Sequence, residues 1–198
     1  MQYRILKHSL GYSKPQNIGP VNEGQLACCI CDAIFLSDPL VSNLIKGYSE
    51  NHGRKPPQVN PKSIIQYAFY LYNFLNNYTI NLDPIFKSSL EPEFENLYNC
   101  MFLDVNHFEQ AIFNASEFHL NRSKGNAIYE FNIEEDMMIP SELLATLKIR
   151  NSLGLEMPLD YHPLLQPFAE VVLDYSKFNS SEFIDKIKNK IQSDYFNT

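Results

Sequence analysis

A chain of 198 residues with 44% hydrophobic and 13% aromatic residues can bury a full core and is too apolar to be disordered. Its 16 basic and 23 acidic side chains leave a formal net charge of -7, which repels nucleic-acid phosphates and anionic membranes and favours a cationic partner. Four Cys, with Cys28, Cys29 and Cys31 crowded into one turn and Cys100 far away, exclude the evenly spread framework of a disulfide-stapled secreted domain.

The N-terminal stretch MQYRILKHSLGYSKP lacks the apolar core of a signal peptide, and no segment approaches the ~20 apolar residues of a membrane span. One cytoplasmic domain over 1–198 is therefore expected. Asn22 with Gln25 forms a capping pair for a first helix running to about Ser37, with Leu26, Cys29, Ile30, Ala33 and Ile34 as its buried stripe. Cys28 and Cys31 share a face of that helix, but no second ligand pair stands nearby to complete a zinc site, so core packing is their expected role. Asp38-Pro39 opens a second helix through Leu40, Leu44 and Ile45 that ends near Gly53. The next segment, PKSIIQYAFYLYNFLNNY over 61–78, carries apolar and aromatic residues nearly all the way round. Ile64, Ile65, Ala68, Leu71, Tyr72 and Leu75 make one face, Tyr67, Phe69, Tyr70 and Phe74 widen it, and Gln66, Asn73 and Asn77 leave a narrow polar line. Such a helix has to be covered by neighbours, which places it at the centre of a bundle.

Asp83-Pro84 and Glu91-Pro92 are two further helix starts. From Phe94 the positions Leu97, Tyr98, Met101 and Phe102 keep a helical period, and Asp104 caps a new amphipathic helix carrying Val105, Phe108, Ile112 and Ala115 to about His119. After the turn NRSKGN, Ala127, Tyr129, Phe131 and Ile133 alternate with Ile128, Glu130 and Asn132 at strand period, with Gln2 to Ile5 as the one candidate partner. Ser141 reads as the cap of a helix through Leu143, Leu144, Leu147 and Ile149 that Gly154 stops. A helix over 167–175 follows, and a last one opens on the Asn179/Glu182 capping box. The fold class is mainly α: one domain of eight or nine helices bundled around 61–78, with at most one short extended element near 127–133.

The motifs of nucleotide, hydrolase, zinc-protease and calcium chemistry are missing, and 7 Gly give little material for close backbone approach to a phosphate. No cofactor and no metal are expected. Asp104, His107 and Glu109, with Glu117 and His119 one helix length on, form the constellation an acid/base or metal-dependent enzyme would use. Capping explains Asp104 without chemistry, and His162, ahead of Pro163, reads as structural. Two acidic groups point elsewhere. Glu134, Glu135 and Asp136 follow Tyr129 and Phe131 and precede Met137-Met138, while Glu91, Glu93 and Glu95 form a second group. Carboxylates beside aromatic and Met anchors suit a surface that binds a basic protein, whereas carboxylates alone are ordinary solvated surface.

The segment PSELLATLKIRNSLGLEMPLDYHPLL over 140–165 resembles the C-terminal part of the helical immunity proteins that bacteria encode beside secreted polymorphic toxins. The resemblance covers about an eighth of the chain: the capped helix at Ser141 to Ile149, the turn at Gly154, and the Asp160 to His162 loop running into Pro163-Leu164-Leu165. It implies a small cytoplasmic antidote that binds a cognate toxin and blocks its active site. The expected function is thus non-enzymatic neutralisation of a basic toxin, without nucleic-acid or membrane binding. An enzyme on Asp104, His107 and Glu109, and a helical adaptor or structural homodimer, are the alternatives.

Overall fold

Apolar residues at helical spacing, closed by identifiable caps, account for the regular structure. The computed structural model describes residues 23–39, 42, 45, 64–77, 90–123 and 138–173. Among these the regular elements are all helical, as a mainly α fold requires: α1 (Glu23–Phe35), α2 (Ile64–Leu75), α3 (Pro92–Cys100), α4 (Val105–Arg122) and α5 (Ser141–Ser152), then a 3-10 turn (Gln166–Phe168) running into α6 (Ala169–Leu173). The expected extended segment near 127–133, its partner at 2–5, the helix start at Asp83 and the helix opening at Asn179 lie outside the described residues. Of the expected second helix, Ser42 and Ile45 are described; both are helical, and Ile45 is buried.

The centre is shared more widely than the sequence indicates. Every residue from Leu26 to Leu36 is buried, because α1 packs against α2 on one side and α5 on the other. The stripe read from the sequence is therefore too narrow, and Cys28, Cys29 and Cys31 all lie within the core. In α2, Ile64 through Phe69 are all buried, and so are Gln66 and Asn73 at 3% exposure each, although the sequence assigns them to a polar line. Leu75, expected on the buried face, is 44% exposed because it ends the helix.

The helix ends are built from local chemistry. At the end of α1 the Asp38 N–H donates to the Ala33 carbonyl at 2.8 Å and the Ser37 N–H to the Ile34 carbonyl at 3.1 Å, with Ser37 in the left-handed region at φ 52. That is a Schellman closure made with Ser where Gly is usual. The same closure ends α5, where Gly154 at φ 68 donates to Asn151 at 3.0 Å and Leu155 to Arg150 at 3.4 Å. At the start of α5 the cap is Pro140; Ser141 is the first helical residue, and its hydroxyl donates to the Ile139 carbonyl at 3.3 Å. The sequence reading misplaces this cap by one residue because Pro140 already completes the turn. Pro92 fills the first position of α3 as expected, where its missing N–H removes nothing.

α3 and α4 form a hairpin that α2 receives through an aromatic ladder. Tyr67 stacks on Phe94 at 4.8 Å, Tyr70 meets Tyr98 at 5.6 Å, and Phe74 meets Phe102 at 4.8 Å, one pair per turn of each helix. Arg150 of α5 secures the other end of the hairpin. Its Nη1 donates to the carbonyls of Met101 at 2.7 Å and Leu103 at 2.9 Å, its Nε to that of Glu156 at 2.8 Å, and its guanidinium lies 4.4 Å over the Phe108 ring. A cation placed just past the C-terminal end of α3 also answers that helix's dipole.

Candidate functional site

The acidic residues named from sequence fall into three situations. Glu134, Glu135 and Asp136, with Tyr129 and Phe131, lie outside the described residues. Glu91 does not face solvent as part of a cluster, because its Oε1 accepts from Arg122 Nη2 at 3.4 Å. Glu93 is half-buried and Glu95 exposed. A spacing of two suits a strand; on a helix it turns Glu93 about 200° from Glu91 and about 200° from Glu95, so Glu93 points away from the side the other two share.

Asp104 and His107 come together as their spacing predicts. Asp104 Oδ1 accepts from the backbone N–H groups of Asn106 at 3.1 Å and His107 at 3.2 Å, which is the capping role, while Oδ2 lies 2.6 Å from His107 Nδ1. The hydrogen bond from His107 holds the Asp104 carboxyl below its ordinary pKa. Glu109 does not join them, and the described residues contain no group of three side chains able to hold a metal ion. Cys100 lies in the same groove of about 350 Å³ as His107, Asn96 and Gln110, so a thiol and an imidazole share one end of the hairpin, the imidazole being bonded to Asp104. Burial, and then the charge of Asp104, push the Cys100 thiol above its ordinary pKa, and its Sγ donates to Asn96 Oδ1 at 3.7 Å. A thiol held protonated and turned to Asn96 lacks what a nucleophile needs.

Glu117 and His119, adjacent in sequence reading, separate in the fold. Glu117 Oε1 lies 2.9 Å from His162 Nε2. Because His162 Nδ1 accepts from the Leu164 N–H at 3.1 Å, the ring proton sits on Nε2 and is donated to Glu117. His119 turns inward, with its Nδ1 2.6 Å from Glu142 Oε1 and both side chains at 0% exposure. Thr146 Oγ1 donates to the Glu142 carbonyl at 2.8 Å, and its lone pair accepts from Tyr67 OH at 2.6 Å, so one polar chain crosses α4, α5 and α2. Burial raises the Tyr67 phenol well above its ordinary pKa.

Glu142 is a residue the sequence reading missed. Glu142, Thr146 and Arg150 stand at i, i+4 and i+8, a polar row that ordinarily marks the solvent side of a helix. All three are buried, and each grips a different helix or turn. Their complete enclosure gives a substrate no access, so the row joins helices.

What remains exposed on the hairpin is an acid-and-aromatic face. Glu109, Phe113, Glu117 and Leu120 follow one side of α4, with Phe113 46% and Leu120 42% exposed. A groove of about 310 Å³ opens there, lined by Asn106, Glu109, Gln110 and Phe113. Phe102 and Leu103 are exposed at the α3–α4 turn. No known protein family, curated protein or solved structure matches the chain. The face offers carboxylates, amide oxygens and a ring, which are acceptors for a cation and a platform for an apolar or planar group. A further cavity, of about 440 Å³, opens where α1 and α2 end, among Ala33, Asp38, Tyr72, Asn76 and Lys148. No described helix is long and apolar enough to cross a membrane.

Proposed function

We propose that this chain is a non-enzymatic, protein-binding antidote of the immunity type, which neutralises a basic toxin by setting an acidic helical surface into its active-site cleft. One observation carries the reading: from Glu91 to Arg122 six of the seven charged Asp, Glu, Lys and Arg side chains are acidic, and exposed carboxylates stand beside exposed Phe102, Leu103, Phe113 and Leu120. Charge of one sign steers a partner of the other, and aromatic anchors hold it once it has arrived. Glu134, Glu135 and Asp136, with Tyr129 and Phe131, are proposed from the sequence pattern as a further part of the partner-binding residues, and the resemblance of 140–165 to immunity proteins supports the role. Residence in the cytoplasm, where such an antidote guards its own cell, is part of the proposal.

The test is co-expression with the toxin-like domain of the neighbouring reading frame, followed by stopped-flow association of the purified pair. Protection of growth is expected. Glu134→Lys, Glu135→Lys and Asp136→Lys together are expected to slow association at least tenfold at low salt and to flatten its salt dependence. A triple variant that associates and protects like the native chain removes that surface assignment. Failure of the native chain to protect against any neighbouring toxin domain removes the function. The enzyme reading keeps one observation in its favour, the 2.6 Å Asp104–His107 contact. Stoichiometric zinc, iron or manganese in protein purified without chelator would favour it over the antidote.

A further inference from the structure

The middle of α4 carries an exposed ring, with no cation over it among the described residues, between two rings that the chain covers with its own guanidinium groups. Phe108, Phe113 and Phe118 follow one another at intervals of five residues along the helix. The guanidinium of Arg150 lies 4.4 Å over the Phe108 ring and that of Arg122 lies 5.1 Å over the Phe118 ring. Phe113, between them, is 46% exposed, and among the described residues its aromatic neighbour is His162, which meets it edge-on at 4.9 Å.

The groove beside that ring has the acceptors a guanidinium needs. Asn106, Glu109, Gln110 and Phe113 stand at i, i+3, i+4 and i+7, which puts all four on one side of the helix. Among the described residues no hydrogen bond or ion pair engages the Glu109 carboxylate, which leaves its oxygens to accept there. Gln110 Nε2 donates to Asn114 Oδ1 at 3.0 Å, which leaves its Oε1 to accept as well. Arginine is the cation this set suits: it is planar, stacks on rings, and presents donors in a fixed fork to several acceptors at once. An ammonium would satisfy the carboxylate and gain less from the ring and the amides.

We infer that the Asn106, Glu109, Gln110 and Phe113 groove of about 310 Å³ is a seat for one arginine side chain of a basic protein partner. The inference deepens the antidote reading by naming the partner group that the acidic surface takes. It is tested on the full-length, 15N-labelled chain with three peptide probes: hexa-arginine, hexalysine and hexacitrulline. The arginine peptide is expected to saturate, shifting the side-chain amide signals of Asn106 and Gln110. Hexalysine is expected to bind at least fivefold more weakly, and hexacitrulline, which keeps the shape without the charge, not to bind.

Phe113→Ala and Glu109→Gln, both substitutions on the exposed face, are each expected to lower affinity for hexa-arginine at least fivefold. Glu95→Gln on α3 is expected to change it less than twofold. Equal affinity for arginine and lysine peptides, or no response at Asn106 and Gln110, overturns the seat. Self-association of the free chain that Phe113→Ala abolishes also overturns it, because a second copy then covers the ring. A chain that protects against its toxin yet shows no arginine preference loses the seat alone; one that prefers arginine here yet protects against nothing loses the antidote role alone.

Discussion

Replacing Arg150 by Met tests how the α3–α4 hairpin is held. The side chain is 1% exposed, and Met keeps much of its stem while removing the guanidinium. Three carbonyls lose a donor: Met101, a fully buried residue, and Leu103 and Glu156, both exposed. Water cannot readily replace the first bond, which costs about 1–3 kcal/mol, and replaces the other two in part, at about 0.5–1.5 kcal/mol each. Loss of the stack on Phe108 adds about 1–2 kcal/mol. Against these stands the relief of returning a buried cation to water, of the order of several kcal/mol, the same burial that lowers the Arg150 pKa. The expected net loss is about 3 kcal/mol, or about 6–12 °C in Tm for a chain of this length. Arg150→Lys, which keeps a charge but loses the fork, should fall between the two. Urea unfolding by circular dichroism measures the loss, and amide exchange at 101–104 should accelerate before the rest of the hairpin opens. A Met variant within about 1 kcal/mol of the native chain would mean that Arg150 does not hold the hairpin.

His119→Leu leaves Glu142 enclosed without its partner and should cost about 3–5 kcal/mol, while adding Glu142→Leu should restore most of it; an additive urea cycle would show that the pair is not coupled. Gly154→Ala should cost about 1 kcal/mol, since left-handed backbone costs an L residue about 1–2 kcal/mol and stiffening the unfolded chain returns part. A Cβ there meets nothing within 4 Å, so the cost is conformational, and a thermal melt showing no loss would contradict it. Ser37→Gly, the mirror change at φ 52, should raise Tm slightly. The Asp104 carboxyl titrates lower in the fold than in the unfolded chain, so the stability it contributes is present above about pH 4 and is lost as pH falls through its lowered value. Asp104→Asn keeps a capping oxygen but has no such titration; its urea midpoints should fall less steeply than the native chain's between about pH 2 and pH 5, and parallel curves would rule the linkage out.

Local rules were enough for much of the helix framework. Pro92 and Asp104 start α3 and α4, Gly154 stops α5, and apolar periodicity identifies Phe94, Leu97, Phe108, Ile112, Ala115 and Leu147 as core, because caps and periodicity depend only on neighbours within a turn or two. The same rules give no sign of the polar positions that another helix buries. Gln66 and Asn73 of α2, and Glu142, Thr146 and Arg150 of α5, are polar at spacings that mean solvent on an isolated helix, and all of them are buried.

The candidate site divides in the same way. The Asp104–His107 contact was legible because three residues on a helix fix the distance. That Glu91 is taken by Arg122, Glu117 by His162 and His119 by Glu142 was not, since those partners lie 31, 45 and 23 residues away. Composition and short-range geometry suffice for a helical chain, for its acidic excess and for where several helices begin and end. Which carboxylates are spent inside, and which ring stays open on α4, depends on how the helices pack, because the partner that satisfies a buried charge comes from a helix far along the chain.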